Sequence, residues 1–330
     1  MTKNAFFILV SLLIAGVLVY FVFEKIGARE IWQAFLSFSP RGIFWALTLT
    51  TLSVLLNAWR WQIILKDRGY NLSLSDLTPA WIAGFAIAYF TPVAMLGDEV
   101  IKTYILKNKF SIPLRKATVS VFLEDMILDG SVFFLTIFVG IIFFILRTMV
   151  IPLRLWMVIV ILSFPVGGLG FFYFKAFKTE SMVKIIEQPL KKLLNSKIAN
   201  GIGSSEKEIL NFFKVQNKNM WRAIIISFFK GIINVIRSWV IILFLGIKID
   251  VIAALSVVAF TNIAYIFPLP AALGSLEVLQ TFAFTNLGLT PQIAVAFTLI
   301  LRAFDTLVAL SGIFFVFRFG TKFIKEKMGL

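Results

Sequence analysis

The chain has 330 residues, 59% of them hydrophobic and 15% charged, with a formal net charge of +15. Soluble domains are roughly half apolar and about a quarter charged, so a mean hydropathy of +0.93 excludes an ordinary soluble domain. Cysteine and histidine are both absent. That removes a disulfide framework, thiolate or imidazole metal sites and the usual general base, and leaves zinc-hydrolase and Ser-His-Asp chemistry unsupported.

An apolar run of about 20 residues crosses a bilayer core. In chain order such runs fall at 5–23, 43–65, 118–146, 155–174, 221–245 and 292–317. The first follows Lys3, exceeds a signal-peptide core in length and has no small-residue cleavage site after it, so it reads as a retained span. Two more apolar regions, 80–106 and 251–287, are interrupted by Pro and Gly. Proline ends a helix by removing a donor, and glycine lets the backbone reverse. Both regions are therefore expected to be re-entrant helix–turn–helix segments, a form tolerated at membrane depth only where it is buried in protein or lines a wet cavity. For 251–287 two full spans are the alternative. The expected fold is an all-α polytopic membrane protein with about six full spans plus two re-entrant hairpins, forming one transmembrane domain over 1–330.

Orientation follows from Lys and Arg. The segment 175–222 carries ten of them against four acids and is assigned to the cytoplasm. With it go the N-terminus, 66–79, 102–116 and the tail from Arg318; together these hold 22 basic residues against 6 in the opposite loops. The expected location is the plasma membrane with both termini cytoplasmic. Such basic loops face anionic lipid, and no nucleic-acid partner is implied. Within that segment, 175–220 reads either as a solvated linker or as an interfacial helix on anionic lipid.

The chain repeats itself at an offset of 177 residues. Asn57 meets Asn234, Arg60 meets Arg237, Gly69 meets Gly246 and Gly97 meets Gly274. Tyr89, Pro92 and Glu99 meet Tyr265, Pro268 and Glu277 with a one-residue slip. The expected spans run in opposite directions in the two parts, so 43–146 and 221–318 read as inverted-topology repeats. That architecture places a substrate site between broken helices near the midplane.

Seven acids fall in spans or re-entrant segments: Asp98, Glu99, Glu124, Asp125, Asp129, Glu277 and Asp305. Arg60, Lys230, Arg237 and Arg302 join them. An ionisable group at membrane depth costs at least a few kcal/mol and is usually paired or functional. Arg302 and Asp305 are spaced to pair on one helix, and the repeat makes an Asp125–Arg302 pair across the halves an expectation. Arg60 and Lys230 lie near span ends, where snorkelling is the alternative; for Asp98 the alternative is a helix N-cap. Glu99 and Glu277, present in both halves, rank first as headgroup or coupling-proton contacts. Arg60, Arg237 and Arg302 suit a lipid phosphate. Tyr89, Pro92, Gly97, Tyr265, Pro268, Pro270 and Gly274 would shape the two breaks. No metal or cofactor is implied.

Four stretches carry a family resemblance: NAWRWQIIL at 57–65, YFTPVAMLGDEVIKTYIL at 89–106, SVFLEDMILDG at 120–130 and PLPAALGSLEVL at 268–279. Together they resemble the flippase-like transmembrane region of lysylphosphatidylglycerol synthases, over about 5–318. The resemblance implies a lipid-handling membrane protein, with membrane lipids (a phospholipid or glycolipid headgroup) as its partner. In the synthases a separate soluble domain makes the aminoacylated lipid; the thirteen residues or so after the last span leave no room for it, so no enzyme activity is expected. The family usually has Glu-Arg where this chain has Glu124-Asp125, which leaves the headgroup open. A small-solute secondary transporter, a non-transporting partner of a lipid-modifying enzyme, and a homo-oligomer are the other readings that this sequence admits.

Overall fold

The computed structural model describes residues 38–91, 97–148, 155–181 and 196–328. The expected span 5–23, residues 92–96 with Pro92, and residues 182–195 of the segment 175–220 lie outside the described residues. Everything described as regular structure is helical. The elements are α1 (Pro40–Asp67), α2 (Leu74–Phe90), α3 (Gly97–Lys109), α4 (Leu114–Phe122), α5 (Gly130–Thr148), α6 (Leu155–Phe177), α7 (Ser196–Phe212), α8 (Lys218–Phe244), α9 (Val251–Ile266), α10 (Ser275–Asn286) and α11 (Pro291–Met328). A π-helical segment, Leu123–Asp129, joins α4 to α5 without a break.

Among the described residues, four stretches are long and apolar enough to cross a membrane: Pro40–Asp67, Leu114–Thr148, Lys218–Phe244 and Pro291–Phe319. They correspond to four of the expected spans, and the expected span 155–174 is helical as α6. Large apolar side chains such as Phe44, Leu146, Phe229 and Phe314 stand exposed on their outer faces, as expected of helices that face lipid.

The two interrupted regions each form a pair of short helices packed on one another, α2 with α3 and α9 with α10. At about 1.5 Å per residue, α2 spans about 25 Å and α9 about 24 Å, with α3 and α10 shorter still. None reaches the thickness of about 30 Å that a hydrocarbon core presents.

The long helices hold these pairs in a mutual exchange. Helix α1 lies along α8; α2 packs on α11, and α9 packs on α5. Both crossings are bare-backbone contacts. A Cβ on Gly140 would stand 2.6 Å from the Cβ of Ala259, and one on Gly312 would stand 2.3 Å from the carbonyl oxygen of Ile82.

Local structure also recurs at the 177-residue offset. Helices α1 and α8 both end on a glycine in the left-handed region, Gly69 at φ 85° and Gly246 at φ 84°. Ser73 caps α2 by accepting from the Asp76 amide, and Asp250 caps α9 by accepting from the Ala253 amide. Gln62 Nε2 donates to the Leu72 carbonyl, and Trp239 Nε1 donates to that of Ile249.

The described part of the 175–220 segment is docked on protein. Glu208 of α7 accepts from Arg68 at 2.6 Å and pairs with Arg115 at 2.9 Å, while Leu210, Phe212 and Phe213 are buried in the core.

Candidate functional site

The inner faces of α1, α2, α3, the π-helical segment, α5, α8, α9 and α11 line a half-open cavity of about 340 Å³. Its wall is unusual for so apolar a chain. It carries Arg60, Lys230 and Arg237 with Asp98, Asp125, Asp129 and Asp305, and the polar groups of Thr50, Ser53, Asn57, Asn234, Asn262, Tyr89 and Tyr265. Trp81 and Phe85 form one aromatic side, their rings 5.7 Å apart and nearly parallel.

Two ion-pair systems are built around it. The first centres on the π-helical segment. In an α-helix Glu124 and Asp129, five residues apart, would point in different directions; the i→i+5 turn of a π-helix brings them to one face. Both pair with Arg60, a fully buried side chain, Asp129 at 2.9 Å. Asn57 and Ser227 accept from the same guanidinium at 2.9 and 3.3 Å. Lys230 holds Asp129 at 2.7 Å. Lys102, wholly buried, binds Asp125 at 2.7 Å and Glu124 and Asp98 at 2.9 Å each. Its ammonium also sits 5.2 Å from the Trp81 ring centre and 5.7 Å from that of Trp61, a geometry that favours a cation.

The second system lies on α8, α10 and α11. Arg237 donates to Asp305 at 3.0 Å, and the Tyr265 hydroxyl donates to the other Asp305 oxygen at 2.9 Å. Tyr89 meets Thr306 at 3.0 Å. Arg302 binds Glu277 with both terminal nitrogens and donates to the carbonyls of Ala272 at 2.9 Å and Ala271 at 3.3 Å. Those carbonyls belong to the second break. There α9 ends at Ile266, Pro268 and Pro270 lead into a single 3₁₀ turn over Pro270–Ala272, and Gly274 at φ 82° starts α10. Ala271 and Ala272 both take φ 50°, a left-handed conformation that costs alanine about 1–2 kcal/mol. The guanidinium compensates by satisfying both of their carbonyls.

The geometry corrects several expectations. Arg302 pairs with Glu277, not with Asp305 on its own helix; Asp305 pairs with Arg237. Asp125 pairs with Lys102 and not across the halves with Arg302. Arg60 and Lys230 do not snorkel, since each is held by carboxylates. Asp98 lies inside the first turn of α3 and not at its N-cap. Lys102 belongs to no cytoplasmic loop; it is the most enclosed cation of the site.

Of the ten charged residues expected at the site, Arg60, Asp98, Asp125, Asp129, Arg237 and Asp305 line the cavity. Glu124 lies directly behind its wall, and Arg302 with Glu277 ties down the second break. Glu99 neither lines the cavity nor has an ion-pair partner among the described residues. Tyr89 and Tyr265 line it; Gly97 opens α3. Sequence reasoning missed Lys102, although its i, i+4 spacing from Asp98 was a usable signal. It also missed the aromatic side at Trp81 and Phe85, which look like ordinary apolar helix residues. Among the described residues no group of three or more Asp and Glu side chains is placed to hold a metal ion.

A family model for the lysylphosphatidylglycerol synthase TM region matches residues 8–312. A UPF0104 membrane protein of Methanocaldococcus jannaschii is 25% identical over 309 residues, covering 91% of this chain and 90% of its own length. Relatives of the same name are 21% identical in Methanothermobacter thermautotrophicus, with 92% of each chain covered, and 23% identical in Pyrococcus horikoshii, with 79% and 82% covered. This chain is therefore a membrane protein of the lysylphosphatidylglycerol synthase TM region family.

Proposed function

We propose that this protein moves a lipid headgroup across the plasma membrane through the central cavity, as a flippase-like translocator with its termini in the cytoplasm. The observation that carries the reading is the cavity itself: about 340 Å³ of half-open, ion-lined space between helices whose outer faces are apolar. That volume lies in the usual range for ligand sites, about 300–1,000 Å³. It suits a phospholipid or glycolipid headgroup, while two acyl chains would have to stay in the bilayer.

The short paired helices fit re-entrant segments that meet the cavity from two sides. The recurrence of caps and turns at one offset, with the exchange of α2 onto α11 and α9 onto α5, supports two repeats of inverted topology. Repeats related in this way give alternating access by rocking one half against the other. The family's description, lysylphosphatidylglycerol synthase TM region, is in keeping with a lipid as the molecule handled.

The test is translocation in vesicles reconstituted with the purified chain and a panel of headgroup-labelled lipids. Asn234→Leu combined with Asn262→Leu removes cavity amides without touching an ion pair. Transport of one headgroup class, reduced tenfold or more in the double variant, is the expected result. If the folded protein moves no lipid but takes up a small solute, the secondary-transporter reading replaces this one.

A further inference from the structure

The first ion system does not balance. Arg60, Lys102 and Lys230 supply three positive charges, and Asp98, Glu124, Asp125 and Asp129 supply four negative ones, all joined in one chain of contacts. The second system does balance, with Arg237 and Arg302 against Asp305 and Glu277. An uncompensated charge at membrane depth costs at least a few kcal/mol, so the first system needs one more cation.

The oxygens show where it would go. Glu124 gives one oxygen to Arg60 and the other to Lys102. Both oxygens of Asp129 are taken by Lys230, one of them shared with Arg60. In the second system both oxygens of Asp305 and both of Glu277 are likewise occupied. Three carboxylate oxygens differ, Asp98 Oδ1, Glu99 Oε1 and Asp125 Oδ2: each is buried and has no hydrogen-bond partner, and of the three residues Asp98 and Asp125 line the cavity and contact Lys102. Asp98 Oδ1 rests against α2 at Gly84, only 2.0 Å from where a Cβ would stand. Only the missing side chain makes room for it, and the amides of a helix interior offer it no donor.

We propose that Asp98 and Asp125, bridged by Lys102, hold one exchangeable proton taken from water in the cavity. The transfer breaks one O–H bond of a hydronium ion, leaving water, and forms one O–H bond on a carboxylate oxygen; it reverses by the same path and nothing is oxidised. The groups facing this pair are Lys102 and Glu99 on α3, Glu124 and Asp129 on the π-helical segment, Arg60 on α1 behind Glu124, and the neutral Trp81 and Gly84 on α2. A group that changes charge on the cavity wall can bias which side the cavity opens to. That coupling rests on the translocation reading, whereas the site does not.

Infrared difference spectra of the purified full chain, acid minus alkaline, test the site directly. The expected result is a protonated-carboxyl band of one group per chain that titrates with pH. Asp98→Asn and Asp125→Asn should each abolish it, because each restores three against three, and Asp305→Asn should keep it. Asp98→Asn leaves Lys102 with two carboxylates and so keeps its main contacts. Absence of the band from the wild type at every pH overturns the proposal, as does its survival in both Asn variants. A carboxylate shift that follows sodium at fixed pH, with no protonated band, also overturns it and assigns the place to an alkali ion. If the band behaves as expected and no lipid moves, the proton site stands and the translocator reading fails. If lipid moves, a pH gradient should drive it in the wild type, and Asp98→Asn should lose the response to the gradient.

Discussion

Helices α1–α5 and α8–α11 share a scaffold and differ in their charges. At the 177-residue offset the ends of α1 and α8 superpose in kind: a left-handed glycine, then a side-chain cap, then a side chain tied to the same loop carbonyl. Arg60 and Arg237 occupy corresponding positions, and each holds an aspartate on the long helix of its own half, Asp129 or Asp305. There the likeness ends. The helix after the first break is tied to the next long helix by a cation, Lys102 to Asp125; the helix after the second break is tied by an anion, Glu277 to Arg302. The first half adds a π-helical turn and an extra carboxylate, and the second half has neither. The recurring helix ends give the two parts a similar local frame. Chemistry that treats the two halves differently has to come from side chains, and here it is concentrated in the first.

The ties are where this comparison breaks most easily. Removing one partner of a buried ion pair typically costs about 3–5 kcal/mol because the other charge is left behind. Lys102→Met strands parts of three carboxylates, so it should cost at least that much, read as a drop in thermal unfolding midpoint in detergent. Arg302→Met strands one carboxylate that is 36% exposed, together with two carbonyls. It should cost less than Lys102→Met; equal losses would mean that the surplus of acids does not matter.

The crossings sharpen the likeness. Gly140→Val and Gly312→Val each force a side chain against a neighbouring helix, and overpacking of this kind costs about 1–3 kcal/mol. Similar losses are expected, measured by the same unfolding midpoint. A tolerant Gly312 beside an intolerant Gly140 would show that the halves are not equally tight.

The caps give the smallest effects. Ser73→Ala and Asp250→Ala should each cost about 1 kcal/mol. Asp250 adds a pH dependence. Its hydrogen bond from Arg147, then that from the Ala253 amide, holds its carboxyl below the ordinary aspartate range. The stabilisation is therefore complete above the free-aspartate value of about 3.9 and is lost as pH falls through the lowered folded value. The group is half exposed, so the amount stays under about 1 kcal/mol. An acid series of unfolding midpoints should be flatter in Asp250→Asn than in the wild type.

Much of the architecture was legible in residue order, because its causes are local. Apolar runs of span length, as at 43–65 and 221–245, declare themselves by composition. Pro268 and Gly274 announce a break because proline cannot donate and glycine can take positive φ. Gly69 and Gly246 could be matched because a helix end needs the same residue type wherever it occurs. Charged groups at membrane depth, such as Asp129 and Arg237, stand out because so few are there.

Partnership among those charges was a tertiary matter. Arg302 is three residues from Asp305, yet it turns to Glu277 and to two carbonyls that only the folded break presents. Lys102 looks like one more basic residue of a loop until α3 packs beside Glu124 and Asp125. The π-helical turn, which swings Glu124 and Asp129 to one face, answers to a guanidinium arriving from α1. The sequence by itself determined which apolar stretches form helices, where the second break falls and that ionisable groups at membrane depth need partners, since propensity, capping and hydropathy act over a few residues. Which charge meets which, and that one carboxylate is left over beside a cavity, was decided only when distant helices fixed each other's rotation and approach.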